Sequence, residues 1–186
     1  MKNLSKLLCL LLLSGQVSAA TLGWGVAPSS INVGDTFSIN IIGSDFIDNV
    51  DGGGVNFSFD SSILSVASVS IDENVWDFGG AGISTGLVDN ATGTVNGLMV
   101  NTFADVIGDF DVATIEFLAL SAGTSALSLS EYALNPWASA GSTINPDMVE
   151  GTLTVSLSSI PVPAAFWLFG SGLLLLIGKA RRDSAV

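Results

Sequence analysis

The chain has 186 residues and a formal net charge of −12 at pH 7, with five basic residues, one cysteine and no histidine. The lack of histidine removes the commonest general acid or base and the commonest transition-metal ligand, which excludes zinc chemistry in practice. All five basic residues lie in the two terminal segments, and the stretch 20–160 holds every acidic residue except Asp183. This distribution excludes nucleic-acid binding, because phosphate backbones are held mainly by Lys and Arg.

Residues 1–20 have the layout of a secretory signal peptide. Lys2 and Lys6 precede an apolar run over 7–13, and small and polar residues follow up to the predicted cleavage point. The apolar run is much shorter than the roughly 20 residues that cross a bilayer, which argues against a membrane anchor here. Cys9 lies inside this segment, so the mature chain is expected to hold no disulfide and no thiolate metal site.

Residues 21–158 are predicted to fold as one all-β domain. In the two clearest strands, apolar residues alternate with their neighbours, at Phe37, Ile39 and Ile41 and at Val55, Phe57 and Phe59. Further strands are predicted at 64–71, 93–102, 112–120, 124–129 and 152–157, with turns at the Gly and Asp clusters 32–35, 51–54 and 121–124. Many short strands without an amphipathic helix favour an antiparallel β-sandwich with jelly-roll-like connections.

Two acidic clusters are candidate calcium ligands, because carboxylates close together in a loop can wrap a hard cation. The first cluster is Asp45, Asp48 and Asp51, and the second is Asp105, Asp109 and Asp111. Neither has the spacing of an EF-hand, and solvated turn carboxylates are the interpretation that turn composition favours. Calcium is the one cofactor that the sequence leaves open.

Aromatic residues in glycine- and asparagine-rich segments are candidates for stacking on a sugar face. They are Trp76, Phe78, Tyr132 and Trp137. The alternative for each ring is burial in the core of the sandwich. Trp137, which follows Asn135-Pro136, is the ring predicted to be exposed.

Catalysis is not predicted for this chain. A pair of carboxylates can serve as the acid and base of a glycosidase, but with many acids and no second domain to form a cleft, any chosen pair is arbitrary. A serine nucleophile would have no histidine to activate it. The chain is therefore predicted not to be an enzyme.

Residues 159–186 are predicted to form a membrane segment with a basic stop. No charge occurs between Pro161 and Gly178, an apolar helix is predicted at about 162–178, and Lys179-Ala180-Arg181-Arg182 follows. A basic cluster after a spanning helix predicts a cytoplasmic end, which places the domain on the other side of the membrane.

The same segment resembles the PEP-CTERM sorting tails of the V-P-x-P-A type. The resemblance rests on the proline motif, the apolar span and the arginine cluster, represented here by Pro161, Val162, Pro163, Arg181 and Arg182. It implies recognition by an exosortase, a membrane transpeptidase-like enzyme, and export in bacteria that make extracellular polysaccharide. The chain has Val-Pro where such tails have Glu-Pro.

The domain itself resembles the cohesin family over about residues 28–157. The opening 33–39 is similar to a cohesin first strand, 55–66 is similar to the signature F-x-F-D-x-x-x-L, and 113–125 is similar to two late strands joined by an A-G-T turn. The segments around Trp76 and Trp137 depart from the pattern. The resemblance implies a non-catalytic sandwich that recognises protein or polysaccharide outside the cell.

These observations predict a non-catalytic, exported surface or extracellular-matrix protein with a cohesin-like binding or scaffolding module, sorted by an exosortase-type enzyme. The expected partners are that enzyme, the membrane, and a surface protein or extracellular polysaccharide. A carbohydrate-binding module for exopolysaccharide is the alternative, and a small glycoside hydrolase ranks third. The expected route is an inner-membrane intermediate with a periplasmic domain, followed by the cell surface or matrix.

Overall fold

The computed structural model describes residues 19–79 and 82–158, together with Phe169. The predicted signal peptide up to residue 18, the sorting motif and, apart from Phe169, the apolar span 162–178 lie outside the described residues. No helix within the described residues is long and apolar enough to span a bilayer.

The described residues form an all-β sandwich with antiparallel sheets, as predicted. Its ten strands are β1 (Thr21–Trp24), β2 (Thr36–Ser58), β3 (Leu64–Ser70), β4 (Ser84–Asp89), β5 (Thr94–Ala119), β6 (Gly123–Glu131), β7 (Ala138–Ser139), β8 (Ser142–Thr143), β9 (Asp147–Met148) and β10 (Gly151–Val155). The pairings are antiparallel except for β1 with β9 and a bridge from Asn32 to Ser156, which are parallel.

Two long strands, β2 and β5, join the two layers of the sandwich. The first part of β2 pairs with the last part of β5, as in Phe37 opposite Phe117, and its later part pairs with the first part of β5, as in Val55 opposite Leu98. Each was predicted as two separate strands. Register shifts between Ile41 and Gly52 bend the pair, as bulges do, so the chain arches over one end of the sandwich without a loop.

The two parts of these strands organise the layers. One layer runs β9, β1, first part of β2, last part of β5 and β3, and the other runs β4, first part of β5, later part of β2, β6 and β10. The alternating residues predicted to face inward are buried between the layers, and they include Phe37, Ile39, Ile41, Val55, Phe57 and Phe59.

The ends of the sandwich differ. At the crossover end, formed by residues 44–51 of β2 and 102–111 of β5, the long strands pass between the layers. At the opposite tail end, Ser156 N donates to Ile31 O at 2.8 Å, and the chain leaves the domain. Since a strand rises about 3.3 Å per residue, the stretch from Thr36 to Gly43 separates the two ends by about 23 Å.

The glycine cluster 51–54 was predicted to be a turn, but it lies inside β2. A Cβ atom on Gly53 would overlap the indole ring of Trp137. Trp137 is fully buried, with its ring centroid 6.0 Å from Phe46 and 6.2 Å from Phe110. The prediction that Trp137 is exposed is therefore wrong, because Gly53 has no side chain and the indole packs directly against the backbone of β2.

The F-x-F-D signature ends in a turn at the tail end, as predicted. Asp60 O accepts from Ile63 N and Leu64 N at 3.0 and 2.9 Å, and Asp60 Oδ1 accepts from the backbone N and hydroxyl of Ser62 at 2.9 and 2.6 Å. Both hydrogen bonds from Ser62 lower the pKa of the Asp60 carboxyl below its ordinary value of 3.8, and the bond from the hydroxyl has the larger effect. They do so because they favour the charged form of the carboxyl.

We expect Gly53→Ala to destabilise the fold by about 3 kcal/mol, the upper end of the range for overpacking. Gly25→Ala is the matched control, because its Cβ would lie 3.4 Å from Asn40 O, an ordinary contact. Chemical unfolding of the full chain measures both. Equal midpoints for the two variants would contradict the packing of Trp137 on Gly53.

We expect Ser62→Ala to raise the pKa of Asp60 towards its ordinary value. A carboxyl whose folded pKa is depressed contributes stability above its unfolded pKa, and the contribution is lost as the pH falls through the folded pKa, here below about pH 4. An NMR pH titration of the carboxyl carbon measures the change. Asp89, whose pKa is lowered by Thr92 and Ala91 instead, is the internal control and should not move.

Candidate functional site

The structure brings the two predicted acidic clusters to the same place, the crossover end. Phe46 pairs with Gly108 and Val50 pairs with Val106, so the stretch that carries Asp45, Asp48 and Asp51 runs beside the stretch that carries Asp105, Asp109 and Asp111. Both clusters were predicted to lie in loops, and both instead lie within the bulged parts of β2 and β5.

Backbone N–H groups donate hydrogen bonds to two of these carboxylates. Asp109 Oδ1 accepts from Asp45 N at 3.1 Å, and Asp51 Oδ2 accepts from Gly141 N at 2.7 Å. Calcium takes six to eight oxygen ligands, and among the residues that the structure describes no three acidic side chains converge to hold a metal. The side chain of Asp105 lies outside that description. The acids whose side chains are described form a negatively charged rim at the crossover end, made of Asp45, Asp48, Asp51, Asp109 and Asp111.

A cleft of about 500 Å³ opens at the crossover end, between the turn after β3 and the strand β5. Its apolar wall contains Val75, Val106, Ile107 and Phe110, and its carboxylates belong to Asp72, Asp109 and Asp111. Apolar walls with a few polar groups are typical of a recognition surface.

A second cleft of about 250 Å³ lies on the other side of Asp109, Phe110 and Asp111, against residues 42–44 of β2. The Phe110 ring can lie against β2 here because Gly43 has no Cβ atom, and an added Cβ would overlap the ring. The ridge 109–111 therefore presents acidic groups to two neighbouring clefts.

Two side-chain hydrogen bonds fix the outer wall of the larger cleft. Trp76 Nε1 donates to Asp111 O at 2.8 Å, and Thr102 Oγ1 donates to Val75 O at 2.9 Å. Trp76 is fully buried, with its ring edge-on to Phe110 at a centroid distance of 5.4 Å. Its predicted role as a sugar platform is therefore wrong, because a buried ring has no free face.

Large apolar side chains are exposed around the same end. Ile47 and Phe103 are each 77% exposed, and Ile107 is 56% exposed. Phe78 is 40% exposed and stacks on Phe103, with ring centroids 4.1 Å apart and an interplanar angle of 18°. Because an exposed apolar cluster costs solubility, such surfaces usually mark a place where something binds.

Phe103, Ile107 and Ile47 were not identified from the sequence. Phe103 was detectable in principle, since Val100 and Thr102 face the core and strand alternation turns the next residue outward. Ile47 and Ile107 lie in the bulged region, where that alternation fails.

Tyr132 is the remaining aromatic residue of the predicted sugar platform. It is half-buried, and its ring lies over Gly54 of β2 and Gly97 of β5, where an added Cβ atom would approach the ring to 3.1 and 3.3 Å. The structure therefore separates the predicted platform, because Trp76 and Trp137 are core residues and Tyr132 lies on the outer surface of a layer.

No known family model and no curated protein match the chain. Solved structures do match. A cohesin of Clostridium acetobutylicum is 21% identical, with a TM-score of 0.58, and the match covers 77% of this chain and 96% of that one. A type I cohesin–dockerin complex from Clostridium thermocellum gives 14% identity, a TM-score of 0.61, and coverage of 75% and 100%.

A non-cellulosomal cohesin from the archaeon Archaeoglobus fulgidus is also similar, with 14% identity, a TM-score of 0.57, and coverage of 75% of this chain and 92% of that one. At these identities the likeness establishes the fold. The predicted cohesin-like fold is confirmed, and the match extends over nearly the whole length of the cohesin modules.

We expect Trp76→Phe to destabilise the domain more than Trp137→Phe, by at least about 1 kcal/mol. Both indoles are fully buried, but only the Trp76 substitution removes a hydrogen bond, the one from Nε1 to Asp111 O, since Trp137 Nε1 has no acceptor among the described atoms. Denaturant unfolding of the full chain measures the difference. Equal losses would contradict an anchoring role for Trp76.

Proposed function

We propose that this chain is an exported, non-catalytic binding module that recognises a protein partner outside the cell. The observation that carries the proposal is the match of the domain to complete cohesin modules, of which 92–100% is covered. The Clostridium thermocellum cohesin was solved in a complex with a dockerin, which supports a protein as the partner. This step is an analogy of fold, strengthened by the exposed apolar surface of the crossover end.

Export and sorting form the second part of the proposal. Residues 1–20 direct the chain across the inner membrane, and residues 159–186 hold it there until an exosortase-type enzyme reads the tail. The domain then reaches the cell surface or matrix. The confinement of every Lys and Arg to these two segments supports this division, because basic residues at the ends of apolar runs set orientation in the membrane.

A non-catalytic role agrees with the chemistry of the carboxylates. A general acid in a glycosidase needs a raised pKa. The pKa shifts of Asp60 and Asp89 are downward, and their causes are hydrogen bonds within turns. At the crossover end, Asp45, Asp48, Asp109 and Asp111 are exposed.

A carbohydrate-binding module for exopolysaccharide is the second candidate. Tyr132 supports it, because its ring lies against two glycines and is only half-buried, and a partly exposed aromatic ring can contact a sugar. The exposed stacked pair Phe78 and Phe103 offers a further aromatic surface.

To test the proposal, the purified full chain in non-ionic detergent is incubated with cell-surface extract of the producing cells. We expect binding that protease treatment of the extract abolishes and periodate oxidation of its glycans spares. Tyr132→Ala should leave this binding unchanged. Binding that survives protease, disappears after periodate and falls at least tenfold in Tyr132→Ala would replace the proposal with the carbohydrate-binding module. Release of reducing sugar would show an enzyme.

A further inference from the structure

We infer that the crossover end is the surface that holds the partner, and that it takes a cationic protein segment carrying apolar side chains. The inference rests on the proposed function, that the chain binds a protein. It adds where the partner binds and what chemistry the partner has.

The apolar part of the surface is built from two strands and one turn. Phe103 and Ile107 belong to β5, Ile47 belongs to the bulged part of β2, and Phe78 belongs to the turn that Trp76 anchors to β5. Register places Ile47 next to Phe46, the partner of Gly108, and so beside Ile107. Contact with apolar side chains of a partner would remove this area from water, which favours association.

The charged part of the surface selects the sign of the partner. Asp72, Asp109 and Asp111 line the same cleft as Ile107, and Asp48 follows Ile47. Since the stretch 20–160 contains no Lys or Arg, no basic side chain of the domain can neutralise these carboxylates. Binding of a neutral or acidic partner would desolvate them without compensation, whereas a Lys or Arg of the partner would pair with them.

The position of this surface in the molecule suits a partner that approaches from outside. The last described residues before the tail, 156–158, leave from the tail end, about 23 Å along the strands from the crossover end. In the membrane-tethered form that we propose, the crossover end is therefore the part of the domain farthest from the bilayer.

Charge also argues against the other occupants. A second copy of the domain would bring like charges together, which disfavours association. An anionic polysaccharide or an anionic lipid surface is disfavoured for the same reason. The basic segment 179–182 of this chain is also disfavoured as the occupant. It lies beyond the proposed membrane span, and the chain reaches it from the tail end of the domain.

Photo-crosslinking in the producing cells tests the inference on the full chain. The photoreactive residue p-benzoylphenylalanine is placed at Ile47 or Phe103 in the crossover end, and at Leu87 on β4 or Leu157 at the tail end as controls, which are 75% and 76% exposed. We expect crosslinks from the first two positions, at least fivefold above the controls. The captured peptides, identified by mass spectrometry, should carry a net positive charge and apolar residues.

A second pair of variants tests the charge requirement. The double variant Asp48→Asn and Asp111→Asn should reduce the crosslinking yield from position 103 at least threefold, and added salt should do the same to the parent chain. The double variant Glu116→Gln and Glu150→Gln removes the same charge elsewhere on the domain and should leave the yield unchanged. An equal loss in both double variants would reduce the effect to net charge and overturn the acidic rim as the determinant.

The outcomes separate the inference from the proposed function. Crosslinks to a protein mainly from Leu87 or Leu157 would overturn the inference and leave the proposed function intact. Capture from Ile47 and Phe103 of another copy of this chain, of its own 179–182 segment, of glycan or of an acidic peptide would also overturn the inference. No crosslinked protein from any of the four positions would contradict the proposed function itself.

Discussion

The packing of aromatic rings against glycines of β2 is the interaction on which the crossover end depends. Burial of a Trp side chain removes about 150–250 Å² from water, which contributes about 4–6 kcal/mol at 25 cal/mol per Å². For Trp137 this gain outweighs the roughly 1–3 kcal/mol lost by leaving a buried N–H group without an acceptor, since Nε1 has none among the described atoms. The glycines of β2 allow the indole to reach that depth.

The same aromatic cluster supports the surface above it. Phe110 packs against Trp76, Trp137 and Phe46, and it also forms part of the wall of the cleft. The cleft wall, the turn that carries Phe78 and the acidic ridge are therefore fixed to one buried cluster. A surface fixed in this way loses little conformational entropy when a partner binds, which favours affinity.

Charge and stability are separated in this domain. With no Lys or Arg between residues 20 and 160, ion pairs between side chains of that stretch contribute nothing, and apolar burial with backbone hydrogen bonds holds the sandwich together. The acids remain at the surface, where self-repulsion opposes the compact state but also keeps the domain soluble. A cationic partner would relieve that repulsion, so binding and stability are expected to be coupled.

The sequence by itself determined the all-β class, the inward-facing residues of the regular strand segments and the turn at Asp60, because these depend on the period-two alternation and on local hydrogen bonds. The cohesin-like fold followed from short motifs in the right order. Only the tertiary structure decided that 51–54 continues a strand, that Trp76 and Trp137 are buried, and that two acidic clusters about 60 residues apart in the chain meet beside exposed apolar side chains. These features depend on bulges and on contacts between distant segments, which no local pattern encodes.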